Sequence, residues 1–246
     1  MITSASCSIA PDSLKSDIIG ILTVLSSTLR DSWDSAITGT LNSRAKDFKP
    51  REIAEIAAQR ARTGELNANE WERIADVMNK LHEAPILIDD SSGITLSDIR
   101  AKARRIKTKY PDLGMIIIDY LQLIEDKSTS DRNQAISGIS RGLKSLAREL
   151  SVPVIALSQL SRKVEDRTVK IPMMSDLRES GAIEQDADVI MFVHREEYYD
   201  KENPEFKNKA KIIIAKQRNG PVGDVDLLYF GSTTKFKNKM KPVVDG

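Results

Sequence analysis

Two short apolar runs, each ending on a polar residue, set the pattern of the chain. The first reads MIIID and ends at Asp119; the second reads VPVIALSQ and ends at Gln159. Continuous apolar runs of this length read as parallel strands covered by helices on both faces. In open α/β sheets, ligands bind beyond the carboxyl ends of such strands. The pattern therefore predicts a ligand-facing edge with an acid and an amide on it. Between the two runs, Ile136, Ile139, Leu143, Leu146 and Leu150 recur at helical spacing and predict a core-facing helix.

The remaining pattern places further elements. Asn67 with Glu70 three residues on reads as a helix start, and Trp71, Ile74, Met78 and Leu81 follow at helical spacing. APILIDDSSG, residues 84–93, reads as a strand running into a polar turn. Thr95 with Asp98 opens a second helix that ends near Tyr110, before Pro111. That helix carries Arg100, Lys102, Arg104, Arg105, Lys107 and Lys109, which face either phosphates, an acidic neighbour or plain solvent. EDKSTSDRN, residues 125–133, has loop composition, and residues 161–180 have no period and read as a long loop. Residues 189–193 read as another strand. Residues 211–217 and 224–230 read as two strands joined by a hairpin at Asn219-Gly220. The KFKNKMK stretch that follows reads as a basic tail. Strands alternating with helices, then a hairpin, predict an α/β fold with a mostly parallel sheet.

Composition narrows the function classes. Net charge is +1 and aromatics are 5%, so nucleic acid would be held by local loops and not by a global field or a stacking surface. One cysteine, Cys7, excludes an internal disulfide framework and a cysteine-based zinc site. His82 and His194 are too few for a histidine-based metal site. The longest apolar run, IIGILTVL, is too short to span a bilayer. A reducing, cytoplasmic setting without membrane contact is the expectation.

The phrases IDDSSGIT, ARRI, IIIDYLQL, VPVIALSQLSR, SDLRESGAIEQDADVIMF and IIIAKQRNGPVG occur in order between Arg62 and Phe236. In these phrases the chain closely resembles the C-terminal motor domain of the bacterial replicative DNA helicase, the DnaB family. The resemblance implies a RecA-like α/β fold: a mostly parallel sheet flanked by helices, with a C-terminal antiparallel hairpin. It implies ATP and Mg as cofactors. Asp119 matches the Walker B acid, which holds Mg through water, and Gln159 matches the γ-phosphate sensor. Lys216 and Arg218 match a pair that reaches the neighbouring subunit's ATP site. Arg178, Glu179 and Gly181 match the loop that follows single-stranded DNA. The implied partners are single-stranded DNA and neighbouring helicase subunits in a hexamer, with a helicase loader and primase as further ones.

The chain also departs from that family. None of its twelve glycines is followed by lysine, so the G-x-x-x-x-G-K-[ST] phosphate cradle is missing. The glutamate that activates the attacking water has no match either. The fold is therefore expected to be incomplete on its N-terminal side, with exposed central sheet edges. Residues 1–50 are expected to form an unassigned extension, and 51–246 a partial RecA-like domain. Such a chain would be a truncated or disrupted copy, one piece of a split gene, or a stand-alone variant with a new N-terminus. Positioning and electrostatics carry phosphoryl transfer, so without the cradle the chain alone is expected to show little or no ATP hydrolysis. Three functions follow: a replicative helicase motor; a non-catalytic module docking to an intact ring; and another RecA-like ATPase, such as a recombinase or clock kinase. DLRESGAIEQDAD and KQRNGPVG favour the first two over the third.

Overall fold

The computed structural model describes residues 2–4, 64–177, 181–233 and 235–239. The chain divides into two compact units that interleave in sequence. The first holds the described residues of 1–8, 89–195 and 211–225; the second holds those of 9–88, 196–210 and 226–246. Beyond residues 2–4, the extension expected over 1–50 lies outside the described residues.

The first unit is built on a sheet. Strands β1 (Ile2–Ser4), β2 (Ile116–Ile118), β3 (Val154–Gln159) and β4 (Val189–His194), with residues 211–217 of β5 (Lys209–Gln217) and 223–225 of β6 (Gly223–Phe230), lie in the order β2-β3-β1-β4-β5-β6. β2 pairs with β3 in parallel, with Ile116 opposite Val154 and Ile118 opposite Ala156. β4 and β5 are antiparallel, with a shift of register between Ile190 and Met191. The hairpin from β5 to β6 forms where Asn219-Gly220 predicts it.

Two segments differ from the sequence expectation. Ile2–Ser4 is parallel to both its neighbours: Ile2 lies opposite Leu157 of β3 and Met191 of β4. The centre of the sheet is thus filled, which corrects the expectation of exposed central edges. Three residues carry no period, so pattern alone could not reveal this strand. Conversely, residues 84–93 form no strand. The Ile86 N–H closes a tight turn around Pro85 onto the Ala84 carbonyl, at 2.7 Å, and Ile88 is 82% exposed. An apolar run becomes a strand only where a partner strand takes up its backbone groups.

Helix α1 (Ala68–Glu83) belongs to the second unit. Its start is capped reciprocally: Asn67 N–H donates to Glu70 Oε2, and Glu70 N–H to Asn67 Oδ1, each at 2.9 Å. Trp71 is exposed, and the side chains of Met78 and Leu81 lie outside the described residues. Helix α2 (Leu96–Lys109) has the predicted capping box, with Asp98 N–H on Thr95 Oγ1 at 3.2 Å and Thr95 N–H on Asp98 Oδ2 at 3.0 Å. Helix α3 (Arg132–Leu150) is capped by Asp131, whose carboxylate accepts from Asn133 N–H at 2.8 Å and Gln134 N–H at 3.3 Å. Each such cap stabilises its helix by about 1 kcal/mol.

The α3 stripe is the core of the first unit, as its spacing predicts. Ile136, Ile139, Leu143 and Leu146 are buried with Leu121, Ala156, Ile190 and Phe192, and Leu150 packs against them. Three basic side chains of α2, Arg100, Lys102 and Arg104, find acids of the same chain. Arg104 grips Glu149 of α3 with both Nε (2.5 Å) and Nη2 (3.0 Å). Lys102 pairs with Asp89 at 2.6 Å.

The segment after β3 is folded despite its lack of period. Ser161 N–H donates to the Asp176 carbonyl at 2.9 Å, closing the excursion at its base. Asp176 is 6% exposed, and its carboxylate accepts from Arg167 Nη2 at 2.6 Å and Met173 N–H at 2.8 Å. Arg167 Nη2 also donates to the Ile171 carbonyl at 3.0 Å.

In the second unit, the KFKN stretch is a strand and not a tail. β7 (Lys235–Asn238) pairs antiparallel with β6, and buried Phe236 sits 4.7 Å from Tyr229, ring centre to ring centre. Phe236 faces inward between outward lysines, an alternation too short to stand out in sequence.

Leu146→Ala removes a side chain with no exposed surface and is expected to cost ~2–5 kcal/mol in urea unfolding; a cost below ~1 kcal/mol would contradict the α3 core. Asp176→Ala leaves Arg167 without its carboxylate and is expected to cost about 3 kcal/mol, with Asp176→Asn milder because it keeps an acceptor. Asp89 has its carboxyl lowered from 3.8 to about 2, first by the Lys102 hydrogen bond and then by those of Ser91. A carboxylate with a lowered folded value stabilises above its unfolded value and loses that contribution as pH falls through the folded one. The melting-temperature advantage of wild type over Asp89→Asn should therefore be constant above pH ~5 and fade between ~4 and ~2.

Candidate functional site

The parallel pairing of β2 and β3 brings two of the expected residues to one sheet edge. Asp119 follows β2 directly, and Gln159 is the last residue of β3. Both are exposed. The apolar side chains before them, Ile118 and Leu157, are sunk in or packed on the core, so the chain surfaces at the point where polar chemistry begins. The Asp119–Tyr120 peptide is cis, and a 3-10 turn, Leu121–Leu123, carries the chain away from the strand end.

That turn supplies a residue the sequence reading missed. Gln122 accepts a hydrogen bond from Gln159 N–H at 3.3 Å through Oε1, and donates from Nε2 to Ser158 Oγ at 3.0 Å. One amide thus ties the loop after β2 to the end of β3. Its signal in sequence was slight: a lone polar residue within YLQLI.

Lys216 and Arg218 form a second group. Both reach helix α4 (Gly181–Asp186) at its carboxyl end. Lys216 Nζ donates to the Glu184 carbonyl at 2.5 Å, and Arg218 Nη2 to the Gln185 carbonyl at 3.2 Å. Cations are favoured there because the last carbonyls of a helix lack N–H partners. Arg218 Nε also lies 3.5 Å from Asp188 Oδ1. Asp188 further pairs with Lys144 of α3. Burial on its own would raise the Asp188 carboxyl, but the Lys144 hydrogen bond, with the charges of Lys144, Arg218 and Arg148, holds it below its ordinary value.

Of the three residues expected to meet DNA, Arg178 and Glu179 lie outside the described residues. Gly181 is the first residue of α4; it is exposed, and a Cβ there would meet nothing within 4 Å. The expected residues therefore form two described groups: Asp119 with Gln159, and Lys216 with Arg218 on the helix that Gly181 begins.

Chemically, the first group is an acid and an amide at one edge of the sheet. Among the described residues no three acidic, histidine or cysteine side chains gather as a metal cage. A single acid at a strand end suits a hard cation that keeps most of its water. The second group is a pair of cations, suited to an anion. Among the described residues no helix is long and apolar enough to cross a membrane.

Known proteins share this sequence over most of its length. Residues 40–238 match the DnaB-like helicase C terminal domain. The chain is 57% identical over 185 residues to the replicative DNA helicase DnaC of Bacillus subtilis, covering 74% of this chain and 40% of that protein. It is 50% identical over 195 residues to the replicative DNA helicase DnaB of Buchnera aphidicola, covering 78% and 42%. Among solved structures, one ATPase domain superposes with a TM-score of 0.75 at 34% identity, covering 97% of this chain and 84% of that one. A DnaB-like replicative helicase, solved in a study of its interactions with primase, gives 0.73 at 36% identity, covering 97% and 58%. The chain spans about 40% of the length of the first relatives it matches. With the match running through every element from α1 to β7, the chain belongs to the family of DnaB-like helicase C-terminal domains.

Proposed function

We propose that this chain is the motor part of a replicative DNA helicase, coupling ATP hydrolysis to movement along single-stranded DNA and duplex unwinding. The observation that carries this is the shared edge of β2 and β3, where Asp119 and Gln159 stand at the carboxyl ends of two parallel neighbours joined by Gln122. Bound Mg-ATP would supply the phosphoryl group and the free energy of its transfer. Asp119 would hold the Mg through its water shell, and Gln159 would donate to the terminal phosphate and sense its loss. Motion of Gln159 would reach the loop that Ser161 opens and Asp176 closes. Lys216 and Arg218 would serve the nucleotide of a neighbouring subunit, where a guanidinium stabilises spreading negative charge. Arg178, Glu179 and Gly181 would follow the DNA backbone without reading bases. The matching assembly is a cytoplasmic hexamer, with a loader and primase as further partners.

The residues present fit the metal and terminal-phosphate ends of a nucleotide. They do not fit its phosphate cradle: no glycine in the sequence is followed by lysine. That departure favours a second reading, a non-catalytic module that docks to an intact helicase ring and offers it Lys216 and Arg218.

The deciding experiment measures Mg-ATP binding and turnover by the purified chain, with and without single-stranded DNA. DNA-stimulated hydrolysis that falls ~1,000-fold in Arg218→Ala, with nucleotide affinity within about twofold, is the outcome expected of the motor. No binding and no turnover, together with co-purification with an intact replicative helicase, would replace it with the docking module.

A further inference from the structure

Asp188 stands just before β4 and is assigned no role by the resemblance to the helicase family. Its backbone and side chain both engage Arg218. The Arg218 N–H donates to the Asp188 carbonyl at 2.8 Å, which fixes the strand end that bears the guanidinium. The carboxylate lies 3.5 Å from Arg218 Nε, on the inner edge of the guanidinium. On its other oxygen, the carboxylate is held by Lys144 from α3. Arg148, one turn further along α3, adds a third positive charge toward the same group.

This arrangement has the logic of a brace. An arginine side chain loses considerable rotamer freedom on being fixed. A carboxylate at Nε removes part of that freedom in advance, since it holds the side chain from its inner edge. Lys144 prevents Asp188 itself from swinging, because its ammonium pins the carboxylate from the opposite side. The packing of α3 against the sheet is thereby carried to the end of β5.

We propose that Asp188, held by Lys144, is the positioning residue for Arg218. It presents the guanidinium in one orientation to an anionic phosphoryl group, and the contacts of Arg218 with the end of α4 share in the same placement. The inference rests on the reading of Arg218 as a phosphate-directed residue.

The test uses the whole chain and the variants Asp188→Ala, Asp188→Glu and Arg218→Ala. The side-chain Nε–H resonance of Arg218 is assigned by its loss in Arg218→Ala. Its exchange with water is expected to be slow in wild type, at least ~5-fold faster in Asp188→Ala, and largely restored in Asp188→Glu, as ordering by the carboxylate beside Nε requires. Equal exchange in wild type and Asp188→Ala would overturn the proposal, provided both melt within a few degrees of each other. If Asp188→Ala melts much lower, Lys144→Met provides the second variant, with the same faster exchange expected. ATP turnover in the presence of single-stranded DNA is the second readout. Asp188→Ala is expected to lower kcat about 10-fold with KM within about twofold, the low end for a group that orients a reacting one. A slow Arg218 exchange that depends on Asp188, in a wild type that neither turns over ATP nor docks to an intact replicative helicase, would leave the brace standing and remove the phosphate-directed reading of Arg218.

Discussion

The parallel pairing of β2 with β3 is the constraint on which the candidate site depends. The residues of β2 lie in register with the start of β3. Both strands then run out of apolar residues at the same edge, one onto Asp119 and the other onto Gln159. A slip of one residue would turn alternate side chains to the opposite face and separate the acid from the amide. The register is held in two places. The α3 stripe presses on Ala156 and its neighbours, and the Gln122 amide closes the far end with its two hydrogen bonds.

Cations elsewhere in the first unit follow the same habit. Arg104 and Lys102 on α2, Arg167 in the loop after β3, and Lys216 and Arg218 at the hairpin each meet an acid or a bare carbonyl of the same chain. The exposed pairs contribute little to stability, because solvent screens them. The Arg167–Asp176 pair differs, since Asp176 is nearly sealed from water and its lost hydration is replaced by a guanidinium and a backbone N–H.

What was legible in the sequence follows from how far each signal extends. The α3 stripe repeats along a 19-residue helix, and the capping pairs at Asn67–Glu70 and Thr95–Asp98 are local chemistry, so all of them appear where expected. β1 and β7 have 3 and 4 residues, below the length at which alternation separates from chance. Residues 84–93 show the converse error, because their apolar content satisfied the pattern while the turn at Pro85 decided the backbone. Asp119, Gln159, Lys216 and Arg218 were singled out through strand ends and the resemblance to the helicase family. Gln122, Asp176 and Asp188 were not, because each acts through a partner that no helical or strand period connects to it. Arg167 lies 9 residues from Asp176, and Lys144 lies 44 from Asp188. Such partnerships exist only once the chain is folded.

The central place of β1 has a consequence for the order of events during synthesis. Ile2 leaves the ribosome long before the two residues it pairs with, Leu157 and Met191. At bacterial rates of roughly 5–20 residues per second, the segment waits on the order of 10–40 s before its slot exists. In that interval β2 and β3 can pair around α3, whose contacts are close in sequence. The middle of the sheet is then closed by residues made well before either of their neighbours.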